Sequence, residues 1–192
     1  MLAGGKSLRL GRDKALEQIG GQRLIERVIE RLSRLGDDII VVTASRNQLP
    51  DLGVRQVHDC YPGKGALVGI YTGLKEATSS HNLVVACDMP FLNVDLLRYL
   101  IALSTGCDIV IPRVGGEVEP LHAVYSRDCL APIEAQLRGG RFKLSDLLEA
   151  VKVRYVEDEE IDRFDPERLS FLNINYESDL ERARALLKEG VQ

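Results

Sequence analysis

The sequence predicts an α/β domain of three layers, in which helices cover both faces of a mainly parallel sheet. Short apolar runs rich in Val and Ile alternate along the chain with segments whose apolar residues recur every three or four positions. The chain has 192 residues, of which 45% are hydrophobic, so it is long enough to bury a substantial core. We therefore expect a single domain over residues 1–192.

The elements follow one another in a regular order. Residues 24–35 carry the apolar stripe of an amphipathic helix, and the run 38–43 is apolar enough for a buried strand. The acidic stretch 157–160 is expected to be a solvated loop. Further helices are expected at 67–77, 96–103, 131–137, 144–151 and 179–188. Further strands are expected at 54–57, 82–87, 108–111, 121–125, 153–156 and 169–174.

Composition argues against several classes of protein. The net charge is −4, whereas nucleic-acid binders usually carry a basic surface. No apolar run has the length of a membrane span, and the N-terminus lacks the apolar core of a signal peptide. The four cysteines lie far apart without a CxxC pair, so neither a zinc site nor a disulfide framework is expected. We expect a cytoplasmic protein that binds neither nucleic acid nor membranes.

A glycine-rich, basic segment occupies residues 2–14. Its glycines allow close backbone approach and positive φ, so that consecutive N–H groups can point at an anion. Arg9 and Lys14 add the positive charge that a triphosphate requires. The segment contains neither a Walker A motif nor a GxGxxG motif, and taken alone it could be a simple surface loop.

Asp88 follows directly after the apolar run 82–87. A carboxylate at the end of a buried strand is well placed to hold Mg²⁺, which prefers one or two carboxylates together with phosphate oxygens. Ligands of parallel sheets bind beyond the carboxyl ends of the strands, where Thr43 and Asp59 are also expected. The alternative is that Asp88 caps a helix that begins near Asn93.

Together these segments resemble the molybdenum cofactor guanylyltransferases, a family within the nucleotidyltransferase superfamily. The resemblance spans essentially the whole chain and is carried by residues 2–14, 59–70, 88–90 and 171–175. It implies a Rossmann-like nucleotidyltransferase domain that uses Mg²⁺. The implied reaction transfers GMP from GTP to the phosphate of molybdopterin or the molybdenum cofactor and releases pyrophosphate. Enzymes that make or use this cofactor are the implied protein partners.

The resemblance also implies roles for individual residues. Asp88 is the implied magnesium ligand, and Lys14 is implied to grip the phosphates of the nucleotide. Together with Arg9, which is chosen for its positive charge, these two residues are the expected catalytic residues. Asn173 and Asn175 are implied to face the acceptor or the metal. The residues implied to contact the nucleotide are Leu2, Ala3, Gly4, Gly5, Lys14, Thr43, Asp59 and Asp88.

One histidine, His122, carries no assigned role in the chemistry. His122 alternates with apolar neighbours on a predicted strand and is interpreted as a structural histidine.

Only Met1 precedes Leu2, although relatives carry several apolar residues before the glycine-rich loop. The first strand is therefore expected to be missing upstream of Met1.

Other functions remain open at this point. The same fold serves cytidylyltransferases for the same cofactor and nucleotidyltransferases that act on sugar phosphates. The Gly4-Gly5 pair favours guanine, because the cytidine branch usually carries Ala at the first of these positions. A protein that only binds a nucleotide or chaperones the cofactor is the alternative from another class, but it would not need both Lys14 and Asp88.

Overall fold

The computed structural model describes residues 1–3, 14–43, 49–61 and 64–191. The helices in this part of the chain are α1 (Leu24–Ser33), α2 (Ala66–Glu76), α3 (Val94–Ala102), α4 (Leu130–Arg138), α5 (Leu144–Ala150), α6 (Asp158–Ile161) and α7 (Glu177–Lys188). The strands are β1 (Leu2–Ala3), β2 (Gln18–Ile19), β3 (Gln22–Arg23), β4 (Ile40–Thr43), β5 (Arg55–His58), β6 (His81–Val85), β7 (Ile109–Val114), β8 (Glu117–Val118), β9 (His122–Ser126) and β10 (Val153–Val156).

One mixed sheet runs through the centre. The parallel group β5-β4-β1 continues into the group β6-β9-β7-β10 through a parallel bridge between Leu2 and Ala86. A hydrogen bond from the Cys87 N–H to the Leu2 carbonyl, 3.0 Å long, supports this junction. Within this seven-strand order, only β9 runs antiparallel to its neighbours. The prediction of a mainly parallel sheet is confirmed, with β9 as its exception.

Helices cover both faces of the sheet, as predicted. Successive residues of a strand point to opposite faces, and β7 shows the consequence. Val110 packs in the core cluster that contains α1 and α3, whereas Ile109 and Ile111 pack in the cluster that contains α2, α4 and α5. The residues described by the structure thus form three layers. Within them, none of the helices combines the length and the apolarity that a membrane crossing requires.

The prediction of a strand at 169–174 is wrong. The chain forms a 3-10 turn at Leu169–Phe171 and then continues without pairing to a strand. The buried Asp165 carboxylate accepts hydrogen bonds from the N–H groups of Leu169, at 3.1 Å, and Ser170, at 2.8 Å. Side-chain acceptors of this kind compete with a strand ladder for backbone donors. The apolar residues of the segment still enter the core, since Ile174 is fully buried.

The acidic stretch 157–160 is not a loop either. It forms the start of α6, where the Glu157 N–H donates to the Glu160 carboxylate in a capping box. Acidic side chains are stabilising at a helix N-terminus because they face its positive end. Glu157 also forms an ion pair with Arg113 on β7, which ties the helix to the sheet.

A short hairpin was not predicted. Strands β2 and β3 pair antiparallel around Gly20 and Gly21, which have φ of 58° and 80°. A Gly-Gly pair suits this tight turn because both central residues need positive φ. The hairpin packs against α7 through Ile19 and connects Lys14 to α1.

Candidate active site

Asp88 lies in a turn three residues beyond the end of β6. Its backbone is held on one side by the Cys87 N–H, which donates to Leu2 of β1, and on the other by Ile174, whose N–H donates to the Asp88 carbonyl at 3.0 Å. The residue is 7% exposed. Because both neighbouring segments are anchored, the Asp88 carboxylate is held at the carboxyl edge of the sheet.

The two carboxylate oxygens of Asp88 have different surroundings. Oδ2 forms an ion pair with the Lys14 ammonium, whereas Oδ1 is buried and has no hydrogen-bond partner among the described residues. Asp88 does not cap α3, because the Asn93 side chain accepts from the N–H groups of Asp95 and Leu96, both at 3.0 Å. The capping alternative for Asp88 is therefore wrong. A buried carboxylate oxygen without a donor is costly unless a ligand completes it.

Lys14 reaches this edge from the start of a 3-10 turn, Lys14–Leu16. The Glu17 N–H donates to the Lys14 carbonyl at 3.1 Å, and the hairpin that follows fixes the turn against α1. The Lys14 ammonium contacts the Asp88 carboxylate and also donates to Asn175 Oδ1 at 3.1 Å. One cation thus joins two segments of the carboxyl edge.

Asn175 is positioned by the start of α7. The Asp179 carboxylate accepts from the N–H groups of Asn175 and Tyr176, both at 2.8 Å. Asn173 lies on the same segment, but its side chain donates to the Phe171 carbonyl at 3.4 Å, within its own turn. Of the two asparagines implied to face the acceptor, the structure therefore brings Asn175 to the Lys14–Asp88 pair.

Asp59 follows β5, on the other side of β1. Its N–H donates to the Thr43 carbonyl at 2.8 Å, and its carboxylate accepts from the Tyr61 N–H at 3.1 Å and the Thr72 hydroxyl at 3.3 Å. β5 lies three strand positions from β6, and a spacing of about 4.8 Å per strand puts Asp59 roughly 14 Å from Asp88.

The Thr43 side chain is not exposed at this edge. It is 1% exposed, and its hydroxyl lies 3.1 Å from His58 Nδ1 and 3.4 Å from the Val57 carbonyl. Its side chain is thus used within the sheet, while its backbone carbonyl holds Asp59.

Leu2 and Ala3 form β1, between the strands that lead to Asp59 and Asp88. Leu2 packs closely on α2, since a Cβ added at Gly69 would lie 3.0 Å from Leu2 Cδ1. The remaining predicted residues, Gly4, Gly5 and Arg9, lie outside the described residues.

His122 is fully buried on β9, with its ring centroid 4.6 Å from that of Phe171. Neither ring nitrogen has a hydrogen-bond partner in the part of the chain that the structure describes. Burial lowers the pKa of His122 to about 3, so the ring is neutral at physiological pH. These surroundings agree with its interpretation as a structural histidine.

Two supporting residues were missed from the sequence. Asp179 holds Asn175, and its position three residues after Tyr176, at the start of a helix, is a capping signal that could have been noticed. Thr72 orients Asp59 from the middle of α2, and no sequence pattern marks it.

Fold and site together define a nucleotidyltransferase-type α/β domain. Comparison with known proteins gives the family. Residues 1–157 match the family described as MobA-like NTP transferase domain. The chain belongs to this family and, within it, to the molybdenum cofactor guanylyltransferases, as the following relatives show.

A probable molybdenum cofactor guanylyltransferase of Pelotomaculum thermopropionicum is 39% identical, over 97% of this chain and 91% of its own length. A molybdenum cofactor guanylyltransferase of Desulfosudis oleivorans is 36% identical, over 99% of this chain and 95% of its own. The crystal structure of molybdopterin-guanine dinucleotide biosynthesis protein A from Archaeoglobus fulgidus is similar with a TM-score of 0.85 and 31% identity, covering 98% and 97% of the two chains. The expected family is thereby confirmed, and the chain is a nucleotidyltransferase.

Proposed function

We propose that this enzyme transfers GMP from GTP to the terminal phosphate of molybdopterin or the molybdenum cofactor, which yields the guanine dinucleotide form of the cofactor. The reaction class follows from the family. The names of the relatives support guanine as the base and the molybdenum cofactor as the acceptor. The observation that carries the proposal is the buried Asp88 carboxylate, paired with Lys14 at the carboxyl edge of the sheet. We place the reaction in the cytoplasm, together with enzymes that make or use the cofactor.

The chemistry is a displacement at the α-phosphate of GTP. An acceptor phosphate oxygen forms the new P–O bond, and the bond between the α-phosphorus and the bridging oxygen breaks, so pyrophosphate leaves with that electron pair. The nucleophile is already anionic, so no strong general base is required. The enzyme must overcome repulsion between two anions and stabilise the charge on pyrophosphate, which makes positioning and electrostatics the main contributions.

The residues fit a magnesium site. Asp88 Oδ1 is buried without a hydrogen-bond partner among the described residues, and a carboxylate oxygen is a ligand that Mg²⁺ prefers. The described residues contain no group of three His, Cys, Asp or Glu that could hold a metal by themselves, so phosphate oxygens and water would complete the coordination. When bound, Mg²⁺ would neutralise phosphate charge next to the α-phosphorus.

The chain's own residues supply the rest. Lys14, and Arg9 outside the described residues, would neutralise the departing phosphates. Asp59 is held rigidly by three hydrogen bonds and would contact the nucleoside. Leu2 and Ala3, with Gly4 and Gly5, would line the base, while Asn173 and Asn175 would face the acceptor. Thr43 enters the proposal through the backbone carbonyl that holds Asp59.

Calorimetric titration with GTP, ATP, CTP and UTP, each with Mg²⁺, tests the base. We expect GTP to bind at least about tenfold more tightly than the others, because a site built to hydrogen-bond particular base groups rejects analogues that lack them. Asp59→Asn should weaken the binding of GTP, whereas Asp95→Asn, on the exposed side of α3, should leave it unchanged. Equal affinity for GTP and CTP would contradict the guanine assignment but not the fold.

A further inference from the structure

The Lys14–Asp88 pair joins two groups that the proposed reaction needs separately. Lys14 would serve the triphosphate, and Asp88 would serve the metal. In the structure the two side chains are paired with each other, because the Lys14 ammonium lies on Asp88 Oδ2. Both side chains are largely shielded, with 19% of Lys14 and 11% of Asp88 exposed to solvent. Shielding strengthens the pair, since solvent screens it less than an ion pair on the open surface.

We propose that this pair is a latch that weakens metal binding at Asp88 until a nucleotide arrives, an inference that rests on the proposed function. Asp88 Oδ1 has no partner among the described residues, but the Lys14 ammonium on Oδ2 repels a metal ion at the same carboxylate. Lys14 must therefore leave Asp88 before the carboxylate can bind a metal at full strength. For Lys14 to bind a triphosphate, it must likewise leave Asp88. Each ligand therefore removes the competitor of the other, which couples their binding positively.

Asn175 provides a second hydrogen-bond partner for the Lys14 ammonium. Its Oδ1 accepts from the Lys14 ammonium at 3.1 Å, and Asp179 holds the Asn175 backbone in place. When Lys14 leaves Asp88 it keeps this neutral partner at the same edge, so its charge remains close to the phosphates. Lys14 thus changes its anionic partner without moving far, from a carboxylate to a phosphate.

The first test measures Mn²⁺ binding by electron paramagnetic resonance in the absence of nucleotide. Lys14→Met should bind Mn²⁺ at least about tenfold more tightly than the parent protein, because Asp88 is released. Lys64→Met is the matched control, since Lys64 is a lysine between β5 and α2 whose ammonium lies 5.2 Å from the centre of the Phe142 ring rather than on Asp88. It should change Mn²⁺ affinity less than about twofold.

The second test is reciprocal and uses GTP in the presence of a chelator, so that no metal is bound. Asp88→Asn frees Lys14 and should tighten metal-free GTP binding at least about fivefold. Asp95→Asn, which removes a carboxylate paired with Arg98 at the start of α3, should have little effect. Lys14→Gln repeats the first test with another side chain, and melting curves establish that each variant is folded.

The outcomes separate the latch from the proposed function. If Lys14→Met and Lys14→Gln bind Mn²⁺ no more tightly than the Lys64 control, the latch is wrong, even where the parent protein transfers GMP. If the parent protein transfers no GMP, the proposed function fails. The Mn²⁺ titrations still decide whether Lys14 weakens the binding of metal at the Asp88 carboxylate. Tighter binding in both lysine variants and in the reciprocal test supports the latch.

Discussion

At the scale of single residues, neighbouring polar side chains near the end of β6 have separate tasks. Asn93 caps α3 and also donates to the Phe164 carbonyl at 2.8 Å, so it is part of the scaffold. Asp88 takes no part in that cap and instead faces Lys14. A substitution at Asp88 should therefore lower the rate with little change in stability, whereas a substitution at Asn93 should lower the stability with little change in rate.

Asp88→Asn is expected to lower kcat at least about 100-fold, equivalent to about 2.7 kcal/mol of transition-state stabilisation. A neutral amide oxygen is a poorer metal ligand, but its shape preserves the turn, so the melting temperature should change little. Asn93→Ala is the control, and it should lose about 1 kcal/mol of stability while retaining turnover well below its melting temperature. A stable Asp88→Asn protein with near-parental turnover would remove the metal role from Asp88.

His122 predicts a pH dependence of stability. Its folded pKa of about 3 lies below its ordinary value of about 6.5, so the unfolded chain binds a proton first as the pH falls. Stability is therefore retained above pH 6.5 and lost progressively below it, by about 2 kcal/mol between pH 7.5 and pH 5. His122→Phe keeps an aromatic ring against Phe171 and should lose this contribution.

Urea unfolding of the parent protein, His122→Phe and a control, His81→Asn, at both pH values measures the effect. The difference in free energy of unfolding between the parent and His122→Phe should change with pH, while the control should follow the parent. A constant difference between the parent and His122→Phe would contradict a buried, neutral His122.

At the scale of elements, the spacing of apolar residues correctly predicted the helices and strands in which these residues follow a single repeat. The predicted helix at 24–35 corresponds to α1, and the predicted strand at 153–156 has the bounds of β10. The errors occur where side chains bond the backbone. Asp165 turns the segment 169–174 into a 3-10 turn, and Glu157 with Glu160 begins a helix in a run that composition alone presents as solvated loop.

Asp165→Ala tests this explanation of the 169–174 segment. It leaves the N–H groups of Leu169 and Ser170 without their acceptor in a buried place, which should cost about 1–3 kcal/mol of stability. Asp162→Ala removes an exposed carboxylate paired with Arg168 and should cost less than about 1 kcal/mol. Denaturant unfolding that gives the two variants the same stability would count against Asp165 as the organiser of the turn.

The short strand β1 leads to a further prediction, on stability. Below Leu2, a cavity of about 190 Å³ lies between β4 and β6 and is lined by Ile40, Val42, Leu83 and Val84. An apolar extension of β1 at its N-terminal end would fill this space, because Met1 and Leu2 also line it. Four or five apolar, β-branched residues added before Met1 should raise the melting temperature, because they would bury apolar surface and pair with both strands. A Gly-Ser extension of equal length is the control, and equal melting temperatures would contradict the idea.

At the scale of the whole molecule, the sheet order assembles the site. Lys14 lies 74 positions from Asp88 and 161 positions from Asn175, yet its ammonium contacts both. Sequence motifs indicated these residues one by one, since each follows or precedes a predicted element. Their contact could not be predicted, because it depends on β1 pairing with β6 and on the path of the chain after Ile174. The direct contact between the Lys14 ammonium and the Asp88 carboxylate could likewise be seen only in the folded structure.

In the proposed reaction, the chain transfers GMP from GTP to molybdopterin. Pyrophosphate release, measured with each of the four ribonucleoside triphosphates with and without molybdopterin, tests it most directly, and Asp88→Asn serves as the inactive control. We predict Mg²⁺-dependent release only with GTP and molybdopterin together, and about 100-fold less in the variant. Release with CTP instead of GTP, release independent of molybdopterin, or nucleotide binding without any release would contradict the proposed function.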